Sequence, residues 1–301
     1  MNAIEIRNLT KNFGSKQAVN GLNMTVPEGA IYGFIGENGS GKSTTEKIIC
    51  GLIHESGGSI KLYGKPHTDS DVRAEMGVLI EAPGCFPGLS VWNNMKIQAE
   101  NLSIRDADSE IIRVLKTVRM EGAAGNKYKN CSLGMKQRIG IAMALLGNPR
   151  LLILDEPING LDADGMRIMR EVLTDITKTG ATVVISSHVL GELEKIATHY
   201  GIIKGGRMLC EMTAEELESS CRTYVALKAR DMTRAKFLLG CEYSRVEEDE
   251  AGYLRVYDAV KTEDVVKHLY GNGIVVTEIK KDKIGLEEYY VDLMREARKN
   301  G

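Results

Sequence analysis

The feature that most constrains this chain is a glycine-rich stretch, IYGFIGENGSGKSTTEKII, which begins at Ile31. It contains Gly36-x-x-x-x-Gly41-Lys42-Ser43, directly after an apolar strand pattern and directly before an apolar helix pattern. A phosphate-binding loop requires this context. Glycines allow successive backbone N–H groups to curl around a phosphate, and the helix N-terminus adds partial positive charge. The stretch therefore predicts a site for the phosphates of a nucleoside triphosphate.

Two side chains of this loop have predicted chemical roles. Lys42 is expected to reach the β- and γ-phosphates, and the Ser43 hydroxyl is expected to ligate Mg²⁺. The predicted nucleotide-binding residues of the loop are Gly36, Glu37, Asn38, Gly39, Ser40, Gly41, Lys42, Ser43 and Thr44.

A second apolar stretch, RLLILDEP, ends in two carboxylates, Asp155 and Glu156. Its four apolar residues predict a buried strand, and a carboxylate at the end of that strand can hold the hydration shell of magnesium, which is the role predicted for Asp155. Glu156 is predicted to be the general base that polarises water for attack on the γ-phosphate. His188 follows another buried strand in VVISSHVLGEL and is predicted to contact the γ-phosphate, with a purely structural histidine as the alternative.

Short apolar strands alternate with helical segments over roughly the first 215 residues, which favours an α/β domain with a largely parallel sheet. All six prolines lie at or before Pro157, and the pattern changes after about Glu216. A boundary is therefore expected near residues 213–221, between domains 1–217 and 218–301. The second domain is predicted to contain strand 222–229, helix 231–240, a hairpin 243–258 turning at EDEAG, helix 262–271, strand 273–280 and helix 285–299. This βαββαβ order predicts a small ferredoxin-like α+β domain with an extra terminal helix.

Composition and charge exclude several classes of protein. The formal net charge of −2 indicates no broad basic surface for nucleic acid. The longest apolar runs are far shorter than the roughly 20 residues that span a bilayer, and the N-terminus lacks the apolar region of a signal peptide. Six scattered cysteines without metal-binding spacing indicate reduced thiols. We therefore expect a cytoplasmic chain that does not itself cross a membrane.

A polar turn, CSLGMKQR at residues 131–138, leads into an apolar helix pattern at 133–146. A serine at the start of a helix presents its hydroxyl and free N–H groups to an anion. With this turn between the phosphate loop and LLILDEP, residues 2–215 resemble the nucleotide-binding subunit of ABC transporters. The resemblance implies a P-loop ATPase of ABC type with a helical subdomain at about 86–146, and ATP with Mg²⁺ as cofactors.

The same resemblance assigns roles to residues outside the phosphate loop. The turn maps onto the family's signature, which implies that Ser132 and Gly134 of one subunit cap the γ-phosphate held by Lys42 of a second copy. This arrangement is a symmetric homodimer formed through the ATP sites. Phe13 stands where the family places an aromatic residue that stacks on adenine, with a phenylalanine of the core as the alternative. Asp162, in NGLDADG, is expected at the seam of the dimer.

One residue departs from the family pattern in an informative way. Glu81, in MGVLIEAPGCF, occupies the position of a glutamine in most members. A carboxylate there can ligate Mg²⁺ or orient water, so Glu81 is an expected metal ligand together with Ser43 and Asp155. In both the glutamate at this position and the sequence SLGMKQR, the chain resembles the group of exporters that protect Gram-positive bacteria against bacitracin and lantibiotics. A one-residue drift without functional meaning is the alternative.

The implied function is that of a transport motor. ATP binding closes two subunits, hydrolysis reopens them, and the motion passes to a separate integral membrane permease, which holds the subunit at the inner face of the cell membrane. The expected cargo is an antimicrobial peptide of the bacitracin or lantibiotic type. Candidates for a groove that receives a permease helix, with a place in the core as the alternative, are Phe86, Pro87, Leu89, Val91 and Trp92.

Three other functions stay open at this point. The chain could serve another exporter with unknown cargo, act as a soluble ABC ATPase on ribosomes or DNA, or sense ATP without hydrolysing it. The ribosomal class has two such domains in tandem, and the DNA-repair class inserts hundreds of residues between its phosphate loop and the acidic pair. Both features are missing here. A pure sensor would lack a catalytic residue, whereas Glu156 and His188 are both present.

Overall fold

The computed structural model describes residues 1–220, 223–249, 251–257 and 261–299. It divides the chain into two compact units, Met1–Ala214 and Glu215–Gly301. The division lies within the interval 213–221 in which the sequence pattern changes. None of the helices in the described ranges has the length and apolar character needed to cross a bilayer.

The first unit contains two β-sheets, whereas the sequence pattern predicted one largely parallel sheet. Its strands are β1 (Asn2–Phe13), β2 (Lys16–Pro27), β3 (Ile31–Ile35), β4 (Gly57–Leu62), β5 (Lys65–Pro66), β6 (Met76–Leu79), β7 (Leu151–Asp155), β8 (Thr182–Ser187), β9 (His199–Lys204) and β10 (Arg207–Thr213). The additional sheet, of order β2-β1-β4-β5, is antiparallel. It begins with the β1–β2 hairpin, a local pairing that brings Phe13 opposite Lys16.

The second sheet positions the candidate site. Its order is β10-β9-β3-β8-β7-β6, and all neighbours pair in parallel except β10, which is antiparallel to β9. The central strands β3, β7 and β8 are buried along their whole length, as expected where both faces of a parallel sheet are covered. Parallel strands end at one edge, so the residues that follow β3, β7 and β8 meet there.

Helices cover this sheet and form the helical subdomain. They are α1 (Lys42–Ile49), α2 (Ser70–Ala74), α3 (Val91–Asn101), α4 (Ala107–Thr117), α5 (Leu133–Leu145), α6 (Ala163–Thr177) and α7 (Leu190–Leu193), with short 3₁₀ turns at Glu121–Ala123 and Tyr128–Asn130. The predicted subdomain at 86–146 contains α3, α4 and α5. Side chains of Ser90, Asp106 and Ser132 accept hydrogen bonds from the first turns of these three helices, so each start is specified locally.

The second unit has the predicted βαββαβ order. After the linking helix α8 (Ala214–Ser220), its elements are β11 (Thr223–Ala229), α9 (Met232–Glu242), β12 (Val246–Glu248), β13 (Leu254–Tyr257), α10 (Thr262–Gly271), β14 (Val276–Lys283) and α11 (Leu286–Lys299). The antiparallel sheet order β12-β13-β11-β14 is that of a ferredoxin-like fold. Arg222, in the expected first strand, Glu250, in the expected turn, and the hairpin end at residue 258 lie outside the described residues.

One boundary in this unit was predicted incorrectly. The last strand covers Val276–Lys283 rather than 273–280. Gly273 adopts a left-handed conformation with φ 76°, and the Ile274 N–H donates to the Leu269 carbonyl at 2.9 Å. These residues close the C-terminus of α10, and the strand can begin only after them.

Candidate nucleotide-binding site

The glycine-rich loop connects β3 to α1 at the carboxyl edge of the parallel sheet. A Cβ on Gly36 would lie 2.5 Å from the carbonyl oxygen of Ile203, and one on Gly41 would lie 2.7 Å from that of Ala18. Gly41 also has φ 112°, a conformation that side chains other than glycine rarely adopt. The loop therefore keeps its shape only with glycine at these two positions.

A cavity of about 300 Å³ opens above this loop. Its lining combines an aromatic ring, the loop with the first turn of α1, and the two carboxylates at the end of β7. The lining residues are Phe13, Lys16, Ala18, Asn38, Gly39, Gly41, Lys42, Ser43, Thr44, Asp155 and Glu156. Nine of the predicted site residues thus meet around one cavity, although they come from three separate parts of the sequence.

Lys42 is largely buried, with 6% of its surface exposed. Its Nζ donates to the carbonyl oxygens of Gly36 at 2.6 Å and Glu37 at 3.2 Å. The ammonium group is therefore held against the loop that it is predicted to serve. A phosphate at the loop would compete with these carbonyls as a stronger, charged acceptor.

The two carboxylates at the end of β7 are oriented by β8. The Ser186 hydroxyl donates to Oδ1 of Asp155 at 2.6 Å. The Glu156 N–H donates to both the carbonyl and the hydroxyl oxygen of Ser186, at 3.1 and 3.2 Å. Glu156 adopts φ 50°, which is uncommon outside glycine and often marks functional sites. Ser186 thus anchors both acidic residues at the cavity wall.

His188, just beyond β8, lies beside Glu156 rather than on the cavity lining. Its Nδ1 is 2.8 Å from Oε2 of Glu156, and about half of its side chain (51%) is exposed. This close approach is not a directed hydrogen bond, and Oε2 of Glu156 has no hydrogen-bond donor among the residues that the structure describes. The pairing places an imidazole next to the predicted general base.

Three residues that are predicted to act at the ATP site of a second copy, Ser132, Gly134 and Asp162, lie together in this chain. Ser132 caps α5 by accepting from the Met135 N–H at 3.3 Å, and Asp162 caps α6 by accepting from the Gly165 N–H at 2.8 Å. A Cβ on Gly134 would lie 3.5 Å from a methyl group of Leu161, so the two helix starts pack together. None of the three predicted residues lines the cavity of its own chain.

Glu81 also lies away from the cavity lining. It adopts φ 65°, and its carboxylate accepts a hydrogen bond of 2.6 Å from Nζ of Lys47 on α1. This hydrogen bond, with the charge of Lys47, lowers the pKa of Glu81. Its expected role as a metal ligand stays a prediction for the nucleotide-bound protein.

Sequence reasoning missed four residues at or next to the site. Lys16 and Ala18 line the cavity because the β1–β2 hairpin carries them beside Phe13. Ser186 is the penultimate residue of β8 and reaches Asp155 across the β7–β8 pair. The fourth, Glu46, is four residues after Lys42 on α1. The sequence did contain a signal for Glu46, because a charged residue there stands among the apolar positions of a helix that begins at a phosphate loop.

Glu46 is completely buried, and both carboxylate oxygens lack hydrogen-bond partners among the residues that the structure describes. Loss of hydration raises its pKa well above the usual value, and the negative charge of Asp155 raises it further. The nearby Ser186 hydroxyl and the Lys42 ammonium lower the pKa by smaller amounts. Burial without partners makes ionisation of this group unfavourable in the folded chain.

Glu46 is therefore expected to make stability fall as the pH rises. The pKa of Glu46 is higher in the folded chain than in the unfolded chain. Its contribution to the free energy of unfolding is therefore fully present below the unfolded pKa, and it is lost as the pH rises through the folded pKa. The slope is at most about 1.4 kcal/mol per pH unit for one proton. Glu46→Leu is expected to raise the free energy of unfolding by about 1–3 kcal/mol at pH 8, and by less at pH 5.

Urea unfolding between pH 5 and 8, followed by the fluorescence of Trp92, measures this effect in the first unit, since Trp92 is the only tryptophan. Glu46→Gln is the matched control, because it keeps the shape of the side chain and cannot ionise. It should flatten the pH dependence relative to the unmodified chain. Equal slopes in the two proteins would show that Glu46 does not titrate as expected.

Comparisons with known proteins place these features in a family. A model of the family described as ABC transporter matches residues 19–159. The chain is 36% identical over 297 residues to the bacitracin transport ATP-binding protein BcrA of Bacillus licheniformis, and the match covers 97% of each chain. It is 38% identical over 230 residues to the lantibiotic transport ATP-binding protein SrtF of Streptococcus pyogenes, covering 75% of this chain and 99% of the relative.

Solved structures agree with this placement. The cbiO1 protein of Clostridium perfringens, part of the ABC transporter complex cbiONQ, has a TM-score of 0.67 and 26% identity over 73% of this chain and 91% of that protein. A dimeric ATP-binding cassette with bound ADP and Pi has a TM-score of 0.64 at 24% identity, covering 70% and 98%, and shows the fold alone. The predicted ABC-type fold is confirmed. The chain belongs to the ABC transporter family as an ATP-binding subunit, an ATPase whose activity is coupled to transport.

Proposed function

We propose that this chain is the ATPase of an exporter that protects the cell against antimicrobial peptides of the bacitracin or lantibiotic type. The observation that carries the proposal is the 36% identity to a bacitracin transport ATP-binding protein, which extends over 97% of both chains. The likeness therefore includes the C-terminal unit and is not confined to the ATPase core. An exporter with another cargo is the second candidate, because a permease rather than its ATPase would contact the cargo.

The residues around the cavity fit ATP with Mg²⁺. The Ser43 hydroxyl and the Asp155 carboxylate supply the oxygen ligands that magnesium prefers, and both line the same cavity. Bound magnesium would neutralise charge on the phosphates. Glu156 would accept the proton of the attacking water. His188, whose Nδ1 lies 2.8 Å from Oε2 of Glu156, would contact the γ-phosphate. Phe13, about half exposed (49%), would stack on the base.

The position of Ser132, Gly134 and Asp162 supports a homodimer. All three lie at or beside helix N-termini, where unpaired N–H groups favour an anion, yet none lines the cavity of its own chain. If the cavity of a second copy faced these helix starts, the three residues of each copy would lie next to the nucleotide bound by the other copy. The proposed assembly is thus a symmetric pair with two shared ATP sites.

A groove beside the parallel sheet is a candidate for docking the proposed permease. Its volume is about 370 Å³, and its lining includes Val78, Pro83, Gln98 and Leu102 together with Ile80 and Ala82, the two neighbours of Glu81 in the sequence. The five residues predicted for this role are not part of that lining. Val91 is fully buried and belongs to the core, as the alternative interpretation held, whereas Phe86 is 57% exposed. Through the permease the chain would sit at the inner face of the cell membrane.

A strain that lacks this chain is expected to become more sensitive to bacitracin or to a lantibiotic. Minimal inhibitory concentrations measure the effect, with an antibiotic that acts inside the cell as the control. The unmodified chain should restore protection, and Lys42→Ala should not. Unchanged sensitivity to both classes of peptide would contradict the proposed cargo and leave the family assignment in place.

A further inference from the structure

One lysine beside the cavity has two partners that hold it in a defined position. Lys11 and Phe13 lie two residues apart on β1, so their side chains project from the same face of the strand. Nζ of Lys11 lies 4.9 Å from the centre of the Phe13 ring and donates a 2.6 Å hydrogen bond to the carbonyl oxygen of His54. Phe13 lines the cavity, whereas Lys11 does not.

We propose that Lys11 is a positioning residue for the nucleobase: it holds the Phe13 ring from one side, so that the side towards the cavity can stack on the base. This inference rests on the proposed stacking role of Phe13. It concerns a residue that would touch no part of the nucleotide and acts only through the ring.

The segment that carries the His54 carbonyl, which accepts from Lys11, is bonded to β1 at two further points. The Ser56 N–H donates to the Thr10 carbonyl at 2.7 Å, and the Ser56 hydroxyl accepts from the Asn12 N–H at 3.0 Å. These bonds fix the segment that carries the His54 carbonyl against the end of β1. The ammonium group beside the Phe13 ring is therefore held by an acceptor that is itself fixed to β1.

An anchored cation matters because Phe13 lies at a hairpin tip and is about half exposed (49%). An exposed aromatic side chain loses rotamer freedom when a base stacks on it, and this loss opposes binding. Contact with the ammonium group restricts the ring before the nucleotide arrives. The cation also draws π-electron density towards its own side, which reduces the repulsion between the opposite face and an electron-rich purine.

Binding of two ligands to the full-length chain tests the inference. ATP carries a base, whereas inorganic tripolyphosphate carries only the phosphates, and both are titrated by calorimetry without Mg²⁺ so that neither is hydrolysed. Lys11→Met is expected to weaken ATP binding about two- to fivefold, which is the size of an exposed cation–π contact, and to leave tripolyphosphate binding unchanged. Lys11→Arg keeps the cation and should restore ATP affinity.

Two further variants separate the possible failures. Lys228→Met removes a lysine that lies 4.2 Å from the Tyr253 ring in the C-terminal unit, and it should change neither affinity. Phe13→Ala should weaken ATP binding about five- to a hundredfold and leave tripolyphosphate binding unchanged. If Phe13→Ala weakens ATP but Lys11→Met does not, the role of Lys11 is overturned and stacking survives. If Phe13→Ala has no effect, stacking itself fails. Equal weakening of both ligands by Lys11→Met would reveal a merely structural lysine and overturn the proposal.

Discussion

Glu156→Gln is expected to slow ATP hydrolysis about 10²–10⁴-fold while ATP binding is retained, because the amide cannot accept the proton of the attacking water. The substitution should leave the local backbone intact. Glu156 is held at φ 50° by hydrogen bonds from its own N–H to Ser186, and these bonds do not involve the side chain. Phosphate release under saturating Mg·ATP measures the effect. Turnover near that of the unmodified chain would show that another group is the base.

The same variant should accumulate as a dimer, because ATP that is not hydrolysed keeps the two copies closed. Size-exclusion chromatography with light scattering, with and without Mg·ATP, reports this state. Adding Ser132→Ala should weaken the dimer, whereas adding Ser90→Ala should not. Both serines cap helices of the same subdomain, α5 and α3, and each loss costs about 1 kcal/mol of stability. A strictly monomeric Glu156→Gln variant in Mg·ATP would contradict the proposed homodimer.

Lys42→Ala is expected to weaken ATP binding about 10- to 100-fold. The ammonium group would make charge-assisted hydrogen bonds to the phosphates, and such bonds contribute about 1.5–3 kcal/mol each. The loss should abolish measurable ATPase activity at ordinary ATP concentrations. Calorimetric titration with ATP determines the change in dissociation constant.

Two controls accompany this measurement. Lys42→Met keeps the length and the apolar stem of a side chain that is only 6% exposed, so it separates loss of charge from loss of packing. Lys96→Ala removes a lysine that pairs with Asp108 in the helical subdomain and should leave ATP affinity unchanged. If the dissociation constant of Lys42→Ala for ATP stayed within about twofold of that of the unmodified chain, the phosphate loop could not be the binding site for the phosphates.

The parts of the site that could be predicted from sequence are those whose requirements are local. The loop from Gly36 to Ser43 has a defined spacing because backbone N–H groups must surround one phosphate and lead into one helix. The acidic pair is recognisable because it ends an apolar strand. The start of α5 at Ser132 is likewise encoded within four residues by a side-chain cap. Each of these features depends on neighbours along the chain.

Glu81 shows the limit of that reasoning. Its place near the metal, which the family pattern implies, stays a prediction, but the contact of its carboxylate with Lys47, 34 residues earlier on α1, could not be read from the sequence. The sequence contains both residues but does not show that β6 and α1 bring them together. Val91 is a similar case, since an apolar residue has the same sequence signature whether it lines a groove or fills a core, and only the structure shows that it is fully buried.

By itself, the sequence determined the phosphate loop, the acidic pair, the signature turn, the βαββαβ order of the second unit and, through these, membership of the ABC family. Only the tertiary structure decided that Lys16 shares the cavity, that Ser186 orients both carboxylates, that Glu46 is buried with no hydrogen-bond partner in the described part of the chain, and that Lys11 contacts the Phe13 ring. The physical reason is the range of the interactions involved. Turns, caps and strand ends are specified by a few consecutive residues, whereas contacts across a sheet or between a strand and a distant loop arise only when the chain packs.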